Sequence, residues 1–109
     1  MNSIVSITLS GNLTKDATFK AYEDKGVINF SFAVNEPGKR QDDGTYTQKT
    51  IYCNAALWIS SNEGSPLLDS LKKGKSITIF TDRMPEIDVK VEGDKTYVNR
   101  NYTVKDIAL

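Results

Sequence analysis

Ser65-Pro66-Leu67-Leu68-Asp69-Ser70-Leu71-Lys72-Lys73-Gly74 is the one good helix signal in a chain that otherwise reads as strand and turn. Ser65 suits an N-cap, and Pro66 suits the first helical position, where a missing N–H costs nothing. Leu67, Leu68 and Leu71 make one apolar stripe. Lys72 and Lys73 complement the negative end of the helix dipole, and Gly74 suits the left-handed position beyond the last turn.

Strands flank this segment on both sides. Ile4 to Leu9 alternates, with Val5, Ile7 and Leu9 on one face, until Gly11 and Asn12 end the run in a turn or bulge. Residues 13–26 are polar and mixed in charge, with Phe19 and Tyr22 embedded, and Asp24-Lys25-Gly26 reads as a hairpin turn. Val27 to Val34 is a second strand whose apolar face is Ile28, Phe30, Phe32 and Val34. Asn35 to Thr45, with Pro37, Gly38, Asp42, Asp43 and Gly44, reads as a loop or a long flexible hairpin tip. Tyr46 to Ile59 is the third strand. Beyond the helix, Ser76 to Phe80 is the fourth, with Ile77 and Ile79 inward, and Met84-Pro85 breaks it. Ile87, Val89 and Val91 alternate with charges up to a hairpin turn at Glu92-Gly93-Asp94-Lys95, and Tyr97 to Ile107 is the fifth strand. One short helix between the third and fourth strands of an all-β chain points to a five-stranded Greek-key barrel of the OB type. In that barrel the helix plugs an open end. A generic antiparallel sandwich leaves the helix without a role.

The chain has 109 residues, so the expectation is a single domain over residues 1–109. Without a histidine, His-based triads, His general bases and most zinc or non-haem iron sites are excluded. Cys53 is the only cysteine, which rules out an internal disulfide framework and fits a reducing compartment. It falls on the inward face of the third strand and has no histidine to activate it, so it reads as a small core hydrophobe. Asp42-Asp43 sits in a loop and needs no chemistry. Neither a glycine-rich phosphate loop nor metal-ligand spacing occurs. The chain is therefore not expected to be an enzyme or to carry a cofactor. No run is apolar enough for a membrane helix and no secretory signal opens the sequence, so a soluble cytoplasmic protein is expected.

The third strand carries the most informative pattern. Ile51, Cys53, Ala55, Leu57 and Ile59 form a core face. Thr50, Tyr52, Asn54, Ala56 and Trp58 form the other, which is half polar yet holds two large aromatics. Tyr52 and Trp58 are six residues apart, roughly 20 Å along an extended strand. Rings on an exposed sheet face can stack bases. The same pattern suits two rings packed in an oligomer interface or beneath the long loops. Lys15, Lys20, Lys39, Arg40, Lys49, Arg83 and Lys90 could each meet a phosphate, although fourteen basic and fourteen acidic residues cancel to zero net charge and a solvated mixed surface accounts for any one of them.

With these elements in place, the residues resemble the bacterial and phage single-stranded DNA-binding proteins. Ile7-Thr8-Leu9-Ser10-Gly11-Asn12-Leu13-Thr14-Lys15-Asp16 is similar to the family's opening I-x-G-N-L-x-x-D-P pattern. Asn29-Phe30-Ser31-Phe32-Ala33-Val34-Asn35-Glu36 is similar to its N-F-S-L-A-T-N-E, and Leu71-Lys72-Lys73-Gly74-Lys75-Ser76-Ile77 to its L-x-K-G-x-x-V step into the fourth strand. Gly93 to Tyr97 resembles its last hairpin. The resemblance implies stacking roles for Tyr52 and Trp58 and a basic contact at Lys20. The family's tryptophan after N-E is replaced by Pro37-Gly38, its tryptophan in the last hairpin has no counterpart near Asp88, and its histidine on the third strand falls on Cys53. The sequence stops at Leu109, so the expectation is a short form without the family's acidic C-terminal tip and its recruitment of repair enzymes.

The expectation is thus sequence-tolerant binding of single-stranded DNA in replication, recombination or repair. Tyr52 and Trp58 would stack bases, Asn54 would hydrogen-bond between them, and Lys15, Lys20, Lys39, Arg40, Lys49 and Arg83 would neutralise phosphates. The groove would lie on the second and third strands, flanked by the 36–49 and 85–96 loops. The resemblance implies a homotetramer, with a dimer as the other possibility. The alternatives are an OB-fold protein-interaction adaptor and, third, an RNA binder.

Overall fold

The computed structural model describes residues 3–109. In chain order it contains β1 (Ile7–Leu13), β2 (Thr18–Ala21), β3 (Gly26–Arg40), β4 (Tyr46–Ile59), α1 (Leu67–Ser70), β5 (Ser76–Thr81), β6 (Glu86–Glu92), β7 (Lys95–Val104) and β8 (Asp106–Ala108). One sheet runs β6-β7-β4-β3-β1-β5-β8, with β2 added beside β3. Most pairs are antiparallel, but β4 and β7 run parallel. The ladder path has two ends, one reached through β7 and the other at β8. Those two strands are consecutive in the chain and are parted only at Lys105, so the backbone itself joins the ends. This is the OB-type barrel that the strand–helix–strand order predicts.

The five expected strands correspond to β1, β3, β4, β5 and the β7–β8 path. The structure adds β2 within the polar stretch 13–26, and β6 as a separate strand. It also extends β3 to Arg40, where a loop was expected from Asn35. There β3 pairs with β4 from Asn35↔Thr50 to Pro37↔Gln48, and a register shift before Arg40↔Tyr46 absorbs Gly38. Polar composition hid β2 and the arm, because both faces of the hairpin arm meet water and alternation carries no signal there, whereas β6 is the stretch where Ile87, Val89 and Val91 alternate with charges. Asp43 closes the tip, its carboxylate accepting from the Thr45 N–H at 3.0 Å and the Thr45 hydroxyl at 2.6 Å. Those two bonds hold the Asp43 carboxyl below the usual carboxylate range. This is the structural role the loop reading assigned to it.

β1 does not end at Gly11. It changes partner there: residues 7–12 pair with β5, while Asn12 and Leu13 register with Ala33 and Phe32 of β3. A side chain at Gly11 would run into the Ala33 carbonyl oxygen, so the close approach requires glycine. The helix is also shorter than its signal, only Leu67–Ser70, with Pro66 at the N-cap. Lys72 and Lys73 lie past it. Gly74 takes φ +88° and donates its N–H to the Leu13 carbonyl. Leu71, just beyond the helix, is fully buried in the barrel end.

The core follows the alternation. Ile28, Phe30 and Phe32 from β3, Cys53, Ala55 and Leu57 from β4, and Ile77 and Ile79 from β5 form one buried cluster with Leu13, Leu71 and Val104. Each large side chain so buried stabilises the fold by about 1.5–3 kcal/mol. Burial also pushes the Cys53 thiol above its ordinary value, as expected of a core residue. Thr81, the one buried polar side chain among the described residues, donates to the Thr103 carbonyl at 2.6 Å and so ties β5 to β7. No helix among the described residues is long and apolar enough to cross a membrane.

Candidate nucleic-acid interface

The outward face of β4 lies at the middle of a five-strand surface, β2-β3-β4-β7-β6. Register puts Lys20 and Val27 in one row with Trp58. Thr18 and Asn29 share a row with Ala56, Ser31 with Asn54 and Asn101, and Ala33 with Tyr52. Trp58 is 45% exposed and Tyr52 67% exposed, so both rings point out of the barrel, as the alternation predicts.

The two rings have different surroundings. Tyr22, which precedes the β2–β3 turn, lies with its ring centroid 5.5 Å from that of Trp58, tilted by 37°. The Lys25 ammonium sits 4.8 Å from the Trp58 ring centre and the Lys20 ammonium 5.3 Å from the Tyr22 ring centre. The turn that brings them there is closed by the Tyr22 N–H donating to the Lys25 carbonyl at 2.8 Å. Two rings and two cations thus form one half-exposed cluster, favoured by ring quadrupoles. Tyr22 and Lys25 were not among the residues expected from the sequence. Their signal is the hairpin turn at Asp24-Lys25-Gly26, which folds residues three apart back onto the end of β4.

Between the rings runs a polar chain across four strands. The Ser31 hydroxyl donates to the Asn54 Oδ1 at 2.8 Å, the Asn54 Nδ2 to the Asn101 Oδ1 at 3.3 Å, and the Asn101 Nδ2 to the Asp88 Oδ2 at 3.4 Å. Asn54 is therefore oriented by neighbours on both sides, and each of its amide groups keeps capacity for one further bond. Asn29, Asn54, Ala56 and Asn101 line a shallow depression of about 250 Å³ here.

Of the expected cations, the structure brings Lys20 to the aromatic cluster. Lys39 and Arg40 lie at the far end of the β3–β4 arm, beside Thr47 and Tyr46. Lys49 is one residue out of phase with Thr50 and Tyr52, so strand alternation turns it to the opposite face, and its ammonium lies 3.9 Å from Glu36. Lys15 and Arg83 are exposed in the connections after β1 and β5, outside the cluster. Asp88 is a carboxylate on the same face.

The single-strand binding protein family model matches residues 4–102 of this chain. The chain belongs to that family. That family is one of DNA-binding proteins and not of enzymes. No curated protein sequence matches the chain. Among solved structures, it is similar to the small single-stranded DNA-binding protein of Streptomyces coelicolor, with TM-score 0.67 and 15% identity over 99% of this chain and 94% of that one. A Plasmodium falciparum single-strand binding protein in complex with single-stranded DNA gives TM-score 0.64 and 19% identity, again over 99% and 94%. A deletion variant of the Thermus aquaticus single-stranded DNA-binding protein gives TM-score 0.66 and 15% identity, over 94% of this chain and 48% of that one. At such identities the likeness speaks for the fold, and the fold is the family's.

Proposed function

We propose that this family member binds single-stranded DNA without sequence preference on the β2-β3-β4-β7 face, with Trp58 and Tyr52 as stacking platforms. The observation that carries the reading is the cluster at the end of β4. A half-exposed indole, a second ring and two ammonium groups lie within one strand-row of each other. A base has a flat ring to stack on, and its phosphate has a cation beside it. Neither needs a particular base, because every base offers a π-face. Lys20 and Lys25 flank the indole where an adaptor surface of the acidic kind would place carboxylates. Asn29, Asn54 and Asn101 offer amides to base edges between the two rings. Lys39 and Arg40 extend the path for a strand that runs past Tyr52 onto the arm.

The biological setting on this reading is the handling of unpaired DNA in replication, recombination or repair, by a cytoplasmic homo-oligomer, a tetramer before a dimer. The structural neighbour from P. falciparum was solved with single-stranded DNA, which supports DNA before RNA as the ligand. Titrating oligo-dT and oligo-U in parallel, by anisotropy or Trp58 fluorescence, tests the reading. Tighter binding of the deoxy strand is expected, with duplex DNA binding weakest. Trp58→Ala is expected to weaken oligo-dT binding by more than about tenfold with the fold intact, within the range a lost stacking platform costs. Unchanged affinity in that variant rejects the stacking role.

A further inference from the structure

β6 is the end strand on one side of the sheet, with β8 at the other end of the path and β2 paired on one side only. It packs chiefly against β7, and its outer edge carries no strand among the described residues. Every residue of β6 is exposed, including Ile87, Val89 and Val91, which lie on one face of the ribbon with Val98 opposite Val89. An exposed, regular edge strand is a template for another strand, and the charges it carries keep out strands whose charges do not match. Its sequence, Glu86-Ile87-Asp88-Val89-Lys90-Val91-Glu92, says which strand fits. Read antiparallel against itself about Val89, it sets Val89 opposite Val89, Ile87 opposite Val91, and Asp88 opposite Lys90 twice.

We propose that β6 pairs antiparallel with β6 of a second copy of this chain, about a two-fold axis through Val89. The contact is isologous, so one patch serves both copies. The apolar side chains meet on one face and the two Asp88–Lys90 pairs on the other. Opposite charges directly across a ladder stabilise it, and like charges disrupt it. Only Glu86 and Glu92 meet as like charges. They sit at the ends, where Lys90 already holds Glu92 within its own chain at 2.8 Å. Sliding the register by two residues one way would place Val91 against Pro85, which has no N–H to offer, and the other way would set Lys90 against Lys90 and Ile87 against Gly93. The centred register is therefore the one that uses the whole strand. An axis normal to the sheet leaves both Tyr52–Trp58 faces on the same side of one continuous sheet. The pairing itself does not depend on the DNA-binding reading.

The test uses the full chain and an introduced thiol, since the native Cys53 is buried. Val89→Cys puts a thiol on the proposed axis, where facing Cβ atoms lie near the span of a disulfide. Asp94→Cys, at the tip of the same ribbon, puts the two thiols roughly 30 Å apart in the same pair. Under mild oxidation the V89C chain is expected to form covalent dimers at least about tenfold faster than the D94C chain, because only its thiols are held together. Equal rates overturn the proposal. Adding D88K or K90D to the V89C chain makes both cross-strand charge pairs repulsive in either homodimer, and each alone is expected to cross-link about tenfold more slowly. Mixing the two restores attraction at both pairs, and cross-linking is expected to recover as the mixed dimer. A mixture no faster than its components overturns the proposal. That outcome is independent of DNA affinity, and recovery on mixing shows that both variants are folded.

Discussion

Tyr52 and Trp58 share one face of one strand, yet the two ends of that face are built differently. Trp58 stands against Tyr22 with Lys25 over its ring, while no ring or cation contact of Tyr52 is found among the described residues. The difference comes from β2. It lies beside β3 only over residues 26–29, which places its turn next to Trp58 and leaves the Tyr52 end uncovered. One end is an assembled site held in place before a ligand arrives; the other is a free ring. Preorganisation lowers the ordering cost of binding, so the Trp58 end should dominate affinity.

The severest way to break this comparison is to remove the core beneath one end. Phe32 is fully buried under the Tyr52 half of the face, and Phe32→Ala should cost about 3–5 kcal/mol of stability, read as a fall in the urea midpoint. Next comes the comparison itself. Trp58→Ala should lose more than about tenfold in oligo-dT affinity and Tyr52→Ala roughly fivefold, the lower end of the stacking range. Equal losses would mean that the Tyr22–Lys25 surround adds nothing. Tyr22→Ala isolates that surround. It should weaken binding about threefold, as expected for one aromatic pair, and should shift Trp58 emission in the free protein. The smallest effect belongs to Lys25. A base stacking on the indole displaces its ammonium toward a phosphate, so Lys25→Ala should flatten the salt dependence of log K by about 0.7. At high salt its affinity should match the parent's, and an unchanged slope would place Lys25 away from the DNA.

Much of the binding face was legible before any coordinates. The period-two pattern of residues 50–59 separates Cys53, Ala55 and Leu57 from Tyr52, Asn54 and Trp58, because adjacent strand side chains point to opposite sides. The same rule turned Lys49 away from the face on which it was expected to act. Tyr22 and Lys25 could not be found this way. Their partner Trp58 is more than thirty positions away, and alternation within one segment says nothing about which segments meet.

What the sequence by itself determined is the alternating apolar set that must be buried, the glycines and prolines that turn the chain, and the order of elements that makes an OB barrel. Those follow from local chemistry: side-chain period, backbone freedom and the position of one helix signal. What only the tertiary structure decided is which polar segments become strands and which side chains share a neighbourhood. β2 and the arm beyond Asn35 owe their extended form to ladder hydrogen bonds with the facing strand of each hairpin. Backbone pairing is indifferent to whether the side chains above it are oily or charged, and so leaves little trace in the pattern of residues.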